Sequence, residues 1–315
     1  MIVDTLTSPI ILFFVLGMLA GFARSDLAIP EPFAKAMAIY LMAAIGLKGG
    51  VSIAANGLSR DLLMAGAAGI ALSFIIPFPV SALLRTIGGL NRITAAATAA
   101  HYGSVSLVTY ITAAEMLEEA GMPAAAFMAA VLAMMETPAI ISGIMLAHRP
   151  AAGGRSMWRE VFLNGSVVLL LGALLIGLIA GSKNFEPIKP VFESGYRGVL
   201  CLFLLDMGLI ASRRLSDSRA MTGRLVAIGV LVPLINGMIG TCIGTLLGLD
   251  VGTAAILGIL AASASYIAVP AAMRLALPEA DPGIYLSMSL GITFPFNVIV
   301  NIALISQFAL WIARL

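Results

Sequence analysis

Charge is what this sequence has least of. Its 315 residues hold 18 Lys+Arg and 16 Asp+Glu, 11% in all, where a soluble domain carries about 25%. With 60% hydrophobic residues and a mean hydropathy of +1.05, this composition argues against a water-soluble globule and for a membrane-embedded chain. The net charge of +2 offers no basic face for a nucleic acid. Cysteine is almost absent: Cys201 and Cys242 each lie in an apolar run and read as small core residues, not as a disulfide or a metal pair. Catalytic motifs are missing as well, with no G-x-S-x-G elbow, no HExxH and no paired aspartates. No polar stretch is long enough to form a soluble domain. The opening "MIVDTLTSPIILFFVLGMLAGFAR" has no basic leader, since Asp4 is its first charge and Arg24 follows the apolar run. It is expected to be an uncleaved first span.

What remains is apolar runs. About 20 apolar residues cross a bilayer core, and that length predicts ten spans: 8–23, 33–54, 62–84, 92–114, 122–147, 161–181, 196–212, 224–248, 252–275 and 283–312. The second is interrupted by Lys48, which is expected to snorkel, and by two glycines. Ten spans put both termini on one side. The opposite loops carry twelve basic residues, among them Arg85, Arg92, Arg149, Arg155, Arg159, Arg213, Arg214 and Arg219, against six on the terminal side. The positive-inside rule therefore predicts both termini outside. The turn holding Glu115, Glu118 and Glu119 without a basic residue falls on that outer side.

The chain also repeats itself. "TAAATAAHYGSVS" (94–106) aligns with "TAAILGILAASAS" (253–265) at an offset of 253 − 94 = 159, matching Thr94 with Thr253, Ser104 with Ser263 and Ser106 with Ser265. Pro123 meets Pro282 at the same offset. The expected organisation is a first repeat of five spans (1–147), a connecting loop (148–160) and a second repeat (161–315). Five spans per half is odd, so the halves are expected to be inverted, with interrupted helices in matching places. That is a transporter pattern.

The interruptions define the candidate site. Glycine, alanine and serine allow close backbone approach and local unwinding, and unwinding frees N–H and C=O groups that hydrocarbon cannot satisfy. Freed N–H groups at helix N-termini suit an oxyanion. Serine hydroxyls suit either an anion or sodium, a hard cation. The candidate substrate-binding residues are therefore Gly103, Ser104, Val105 and Ser106, with Ala262, Ser263, Ala264 and Ser265. Candidates for the coupling ion are Ser104, Ser263, Asp206, Glu136, Thr137 and Thr293. Asp206, deep in "LCLFLLDMGLIA", can bind sodium, bind a proton or cap a neighbouring helix. Pro138 after Glu136 and Thr137 frees a carbonyl. His101, Tyr266, Asn297 and Asn301 are candidate supporting residues or helix-packing contacts. Arg274 is expected at a helix C-terminus. His101 and Ser104, three apart, also fit a remote alternative of intramembrane hydrolysis. The chain is nevertheless expected not to be an enzyme and to need no organic cofactor or transition metal.

"LMAAIGLKGGVSIA", "AAHYGSVSLVTY" and "ASASYIAVPAAMRLALPEADP" resemble the sodium-dependent bicarbonate transporter family along essentially the whole chain. The resemblance implies an all-α integral membrane protein with ten transmembrane helices in two inverted five-helix repeats. These are sorted into a gate and an elevator-type core. It further implies a homotrimer in a bacterial plasma membrane that carries bicarbonate inward with sodium. The anion would bind where helices four and nine cross, on the segments of Ser104, Ser106, Ser263 and Ser265. The family is also inhibited by a trimeric, nucleotide-sensing PII-like protein on the cytoplasmic side. The connection 148–160 is shorter here than in cyanobacterial members. A different small anion, coupled to protons through Asp206, is the alternative.

Overall fold

Apolar helix formers dominate the chain, and the structure, a computed structural model, describes residues 8–57, 59–147, 165–217 and 221–314, which form helices joined by short turns with no strand among them. The first half contains α1 (Pro9–Phe22), α2 (Glu31–Asn56), α3 (Arg60–Thr86), α4 (Arg92–Gly103), α5 (Leu107–Glu119) and α6 (Met128–Leu146). The second contains α7 (Gly165–Phe185), α8 (Tyr196–Asp217), α9 (Gly223–Leu246), α10 (Val251–Ala262), α11 (Ala268–Ala276) and α12 (Pro282–Ile312). Six of these (α2, α3, α6, α7, α9 and α12) are long and apolar enough to cross a membrane alone. The loop 148–160, and with it any docking of a regulator there, lies outside the described residues, as does Arg219.

Where the sequence predicts spans at 92–114 and 252–275, the chain forms two pairs of half-helices. α4 has 12 residues and α5 13, while α10 has 12 and α11 9. At 1.5 Å per residue none exceeds ~20 Å, too short to cross alone. Each pair starts at a matched cap. Asn91 accepts from the Thr94 N–H at 2.9 Å, and Asp250 accepts from the Thr253 N–H at 2.9 Å. The hydroxyls of these two threonines then tie the halves together. Thr94 Oγ1 accepts from the Asp281 N–H (3.3 Å), and Thr253 Oγ1 accepts from the Ala125 N–H (2.9 Å).

Lys48 and its flanking glycines do not break the second span; α2 is continuous. The glycines serve contact instead. α2 packs along α7, and α1 packs along α8, so the first two helices of each half pair crosswise with those of the other. At the α1–α8 crossing, a Cβ on Gly17 would overlap the Leu205 carbonyl oxygen, and one on Gly208 the Phe14 carbonyl oxygen. Small residues permit this approach where apolar burial provides no drive between helices. The remaining helices form a second group: α3 packs on α6, α4 on α3 and α6, and α9 on α10 and α12. In α12, π-type stretches at Ser287–Thr293 and Asn297–Asn301 flank Pro295, whose missing N–H interrupts the helical ladder. Arg274 lies in the last turn of α11, as expected.

Replacing Gly208 with valine should lower the thermal midpoint of the purified protein, because overpacking of this kind costs about 1–3 kcal/mol. Gly198→Ala on the same helix, where a Cβ meets nothing within 4 Å, should leave the midpoint unchanged or raise it. Equal effects from the two would show that the α1–α8 crossing tolerates a side chain.

Candidate functional site

The two helix breaks meet. α4 ends at Gly103 and α5 resumes at Leu107; α10 ends at Ala262 and α11 resumes at Ala268. Between them the chains exchange hydrogen bonds. The Ser106 N–H donates to Ser263 Oγ (2.9 Å), and the Ser265 N–H donates to the His101 carbonyl (2.8 Å). The His101 Nδ1–H returns a bond to the Ser265 carbonyl (3.1 Å), which can only accept; this places the imidazole proton on Nδ1. His101 is fully buried, and its ring lies 4.6 Å from that of Tyr285.

The matched serines perform matched work. Ser106 Oγ caps α5 by accepting from the Thr109 N–H (3.2 Å), and Ser265 Oγ accepts from the Val269 N–H (3.4 Å) at the start of α11. Ser263 Oγ donates to the Leu260 carbonyl (2.8 Å), and Ser104 Oγ donates to the Glu136 carbonyl (3.4 Å). Gly103 is required by contact: a Cβ there would come within 2.6 Å of the Ser73 carbonyl oxygen and overlap the Pro77 ring. Ser73 in turn donates to the Met135 carbonyl (2.5 Å), fixing the turn of α6 that carries Glu136. The freed carbonyl of Ala262 accepts from Asn297 Nδ2 (2.9 Å), and Asn301 Nδ2 donates to Asn297 Oδ1 (2.8 Å).

Several groups at the crossing are left over, the Tyr266 hydroxyl and His101 Nε2 among them. The N–H groups of Val105 and Ala264, the middle residues of the two breaks, have no hydrogen-bond partner among the described residues, although both residues are buried. Glu136 is 6% exposed, and its Oε2 is also unpartnered. A small cavity lies here, lined by Val105, Ser106, Glu136, Ser265 and Tyr266 together with Met42 of α2 and Leu170 of α7. Its interior has ≈ 10 Å³ open to the centre of a water-sized body, room for about one.

Other sequence candidates fall elsewhere. Thr293 donates to the Gly229 carbonyl (2.7 Å) and accepts from the Tyr102 hydroxyl (2.7 Å), so its hydroxyl is engaged in a chain that links α9, α12 and α4. Asp206, 5% exposed with Oδ2 unpartnered, is on α8 and does not line the cavity. Thr137 is half-buried beside Glu136. His101 makes no bond to Ser104, so the nucleophile–base pair of the hydrolase alternative is not assembled. Sequence reasoning missed the caps Asn91 and Asp250, although they too stand at the 159 offset (250 − 91). It also missed Met42, Leu170 and Tyr285, which carry no sequence signal.

A comparison along the chain shows its family. The model of the Na+-dependent bicarbonate transporter superfamily matches residues 9–310. The chain belongs to that superfamily. It is therefore a multi-pass membrane transporter of a small anion, and the paired breaks lie well inside the matched region. No curated protein matches the chain.

Asn297→Ala leaves the buried Ala262 carbonyl without its donor and should cost about 1–3 kcal/mol of stability, read as a lowered thermal midpoint. Leu304→Ala, on an exposed face of the same helix, should move the midpoint much less. Similar shifts would mean that the α10 end does not depend on this bond.

Proposed function

We propose that this transporter carries bicarbonate inward with sodium through the crossing of the two breaks. The observation that carries the reading is the presence of unspent groups of opposite character, Val105 and Glu136 on the wall of one cavity and Ala264 next to its lining residue Ser265. The Val105 and Ala264 N–H groups can donate to an anion, and the Glu136 carboxylate can hold a cation. A buried charge in hydrocarbon needs a partner, and unpaired backbone N–H donors inside a helix break can supply one to an oxyanion. Sodium enters first, taking Glu136 with hydroxyl oxygen from Ser106 or Ser265. That neutralises the site and admits the anion to the N–H groups. The cavity admits about one water-sized body, which suits the ion; a four-heavy-atom anion requires the breaks to draw away from Met42 and Leu170.

In this reading the two halves are inverted repeats. The crosswise group of α1, α2, α7 and α8 is the stationary gate, and the remaining helices are the core that moves as an elevator. The working unit is a homotrimer in a bacterial plasma membrane with both termini outside, and a PII-like regulator would act from the cytoplasmic face. One observation favours a second reading. Asp206 Oδ2 is also buried and unpartnered, and a proton there would serve as the coupling ion.

Labelled bicarbonate uptake into proteoliposomes tests both. Uptake should require an inward sodium gradient, fail with potassium, and fall at least tenfold in Glu136→Gln. Ser106→Ala/Ser265→Ala should raise KM more than it lowers kcat. Uptake driven by a proton gradient and lost in Asp206→Asn would favour the second reading. Sodium-driven uptake unchanged in all these variants would remove the site from this crossing.

A further inference from the structure

A second, larger cavity lies one helical turn from the first along the same two helices. Where Met42 and Leu107 border the central cavity, Ile45 and Tyr110, each three residues further on, border this one. Three residues advance a helix by ~4.5 Å, so the two spaces are near neighbours. The second holds ≈ 120 Å³ by the same measure, ample for several waters or a small hydrated anion. Its polar lining is Lys48 of α2, Tyr110, Glu115 and Glu118 of α5, and Tyr196 of α8. The space therefore lies between helices of the crosswise group and a half-helix of the broken pair.

The charges and donors around it are unevenly spent. Arg197 Nε donates to Glu115 Oε2 (2.6 Å), and Arg197 Nη1 lies 3.8 Å from Glu119 Oε1. The deeper carboxylate is thus already neutralised. Lys48 forms no close ion pair among the described residues, feels the Glu115 carboxylate at longer range and stands 5.6 Å from the Tyr196 ring centre. Tyr110 is 7% and Tyr196 4% exposed, and neither hydroxyl has a hydrogen-bond partner among the described residues. Neither oxygen is sealed off, so both hydroxyls can donate into the space. One ammonium and two unspent O–H donors around a wet space suit a small oxyanion. A free cation would meet Lys48 instead. Glu118, exposed at the mouth, can accept the single O–H of a protonated oxyanion such as bicarbonate.

We propose that this cavity is a second small-oxyanion site, a station for the transported anion beside the central crossing. Lys48 provides the charge, Tyr110 and Tyr196 provide the donors, and the Arg197–Glu115 pair keeps the buried carboxylate from repelling the ligand. The site itself rests on this geometry; that its occupant is the transported anion rests on the reading of the preceding subsection.

Equilibrium dialysis of the full chain in nanodiscs, against labelled bicarbonate and separately against labelled formate, tests it. The background is Ser106→Ala/Ser265→Ala, which weakens the central site. One anion per chain should remain bound there. Lys48→Met or Tyr110→Phe/Tyr196→Phe should weaken it at least tenfold, while Lys48→Arg, checked for monodispersity alongside the others, should retain it. Formate binding that depends on Lys48, with no bicarbonate bound at either site, would keep this site and sink the bicarbonate reading. Bicarbonate bound only in chains with intact serines, or binding indifferent to Lys48, would overturn the second site and leave the transport reading in place.

Discussion

The reciprocal hydrogen bonding of two helix breaks is the constraint from which the rest of the site follows. A helix interrupted inside a membrane exposes backbone groups that lipid cannot satisfy, at several kcal/mol each. Here each break spends those groups on the other: the Ser106 N–H on Ser263 Oγ, and the Ser265 N–H on the His101 carbonyl. His101 adds the return bond and so stitches α4 to the start of α11. Each break satisfies part of the other's backbone, which is a physical reason for them to occur as a pair. The Val105 and Ala264 N–H groups are the remainder after that exchange. They occupy the same position in each break (264 − 105 = 159).

Holding two broken helices in register requires close approach, and here small residues and proline do what large side chains do in a soluble core. Gly103 lets the end of α4 lie against Pro77 and the Ser73 carbonyl. Gly17 and Gly208 do the same for α1 and α8. Ser73 reaches across to Met135, so the Ser73–Pro77 turn of α3, the end of α4 and the turn of α6 bearing Glu136 form one linked unit. A carboxylate placed by such a chain of contacts has little freedom to find another partner. Its unpaired oxygen is therefore fixed in place.

Much of this was legible in the sequence, and the reason is repetition. Ser104/Ser263 and Ser106/Ser265 stood out because hydroxyls are rare in apolar runs, and their matched offset marked them as one element used twice. The breaks themselves are where the serines are. The caps Asn91 and Asp250 carried the same offset and were equally readable. Partners across space were not. Nothing in "GITFPFNVIVN" says that Asn297 serves the Ala262 carbonyl, or that Thr293 is consumed by Tyr102 and Gly229. Lys48 shows the limit most clearly. As a lone charge in an apolar run it reads as a snorkelling side chain or a break in the span, yet the helix is continuous and the ammonium lies over a tyrosine ring. A one-dimensional pattern cannot separate a charge that escapes to water from one that faces a partner helix.

The placement of Glu136 also bears on how such a carrier would respond to voltage. One charge crossing the membrane is worth about 2.3 kcal/mol per 100 mV. With sodium and a monovalent anion both bound, the added charges cancel, so a carrier that moves Glu136 ionised has the same charge loaded as empty. The potential then opposes one leg of the cycle as much as it assists the other, and a one-to-one cycle draws only on the sodium gradient. A carrier that held sodium without the anion would differ by one charge and would feel the field on that step alone. The order of binding at the crossing, cation at the carboxylate before anion at the backbone donors, would therefore decide where voltage enters the cycle.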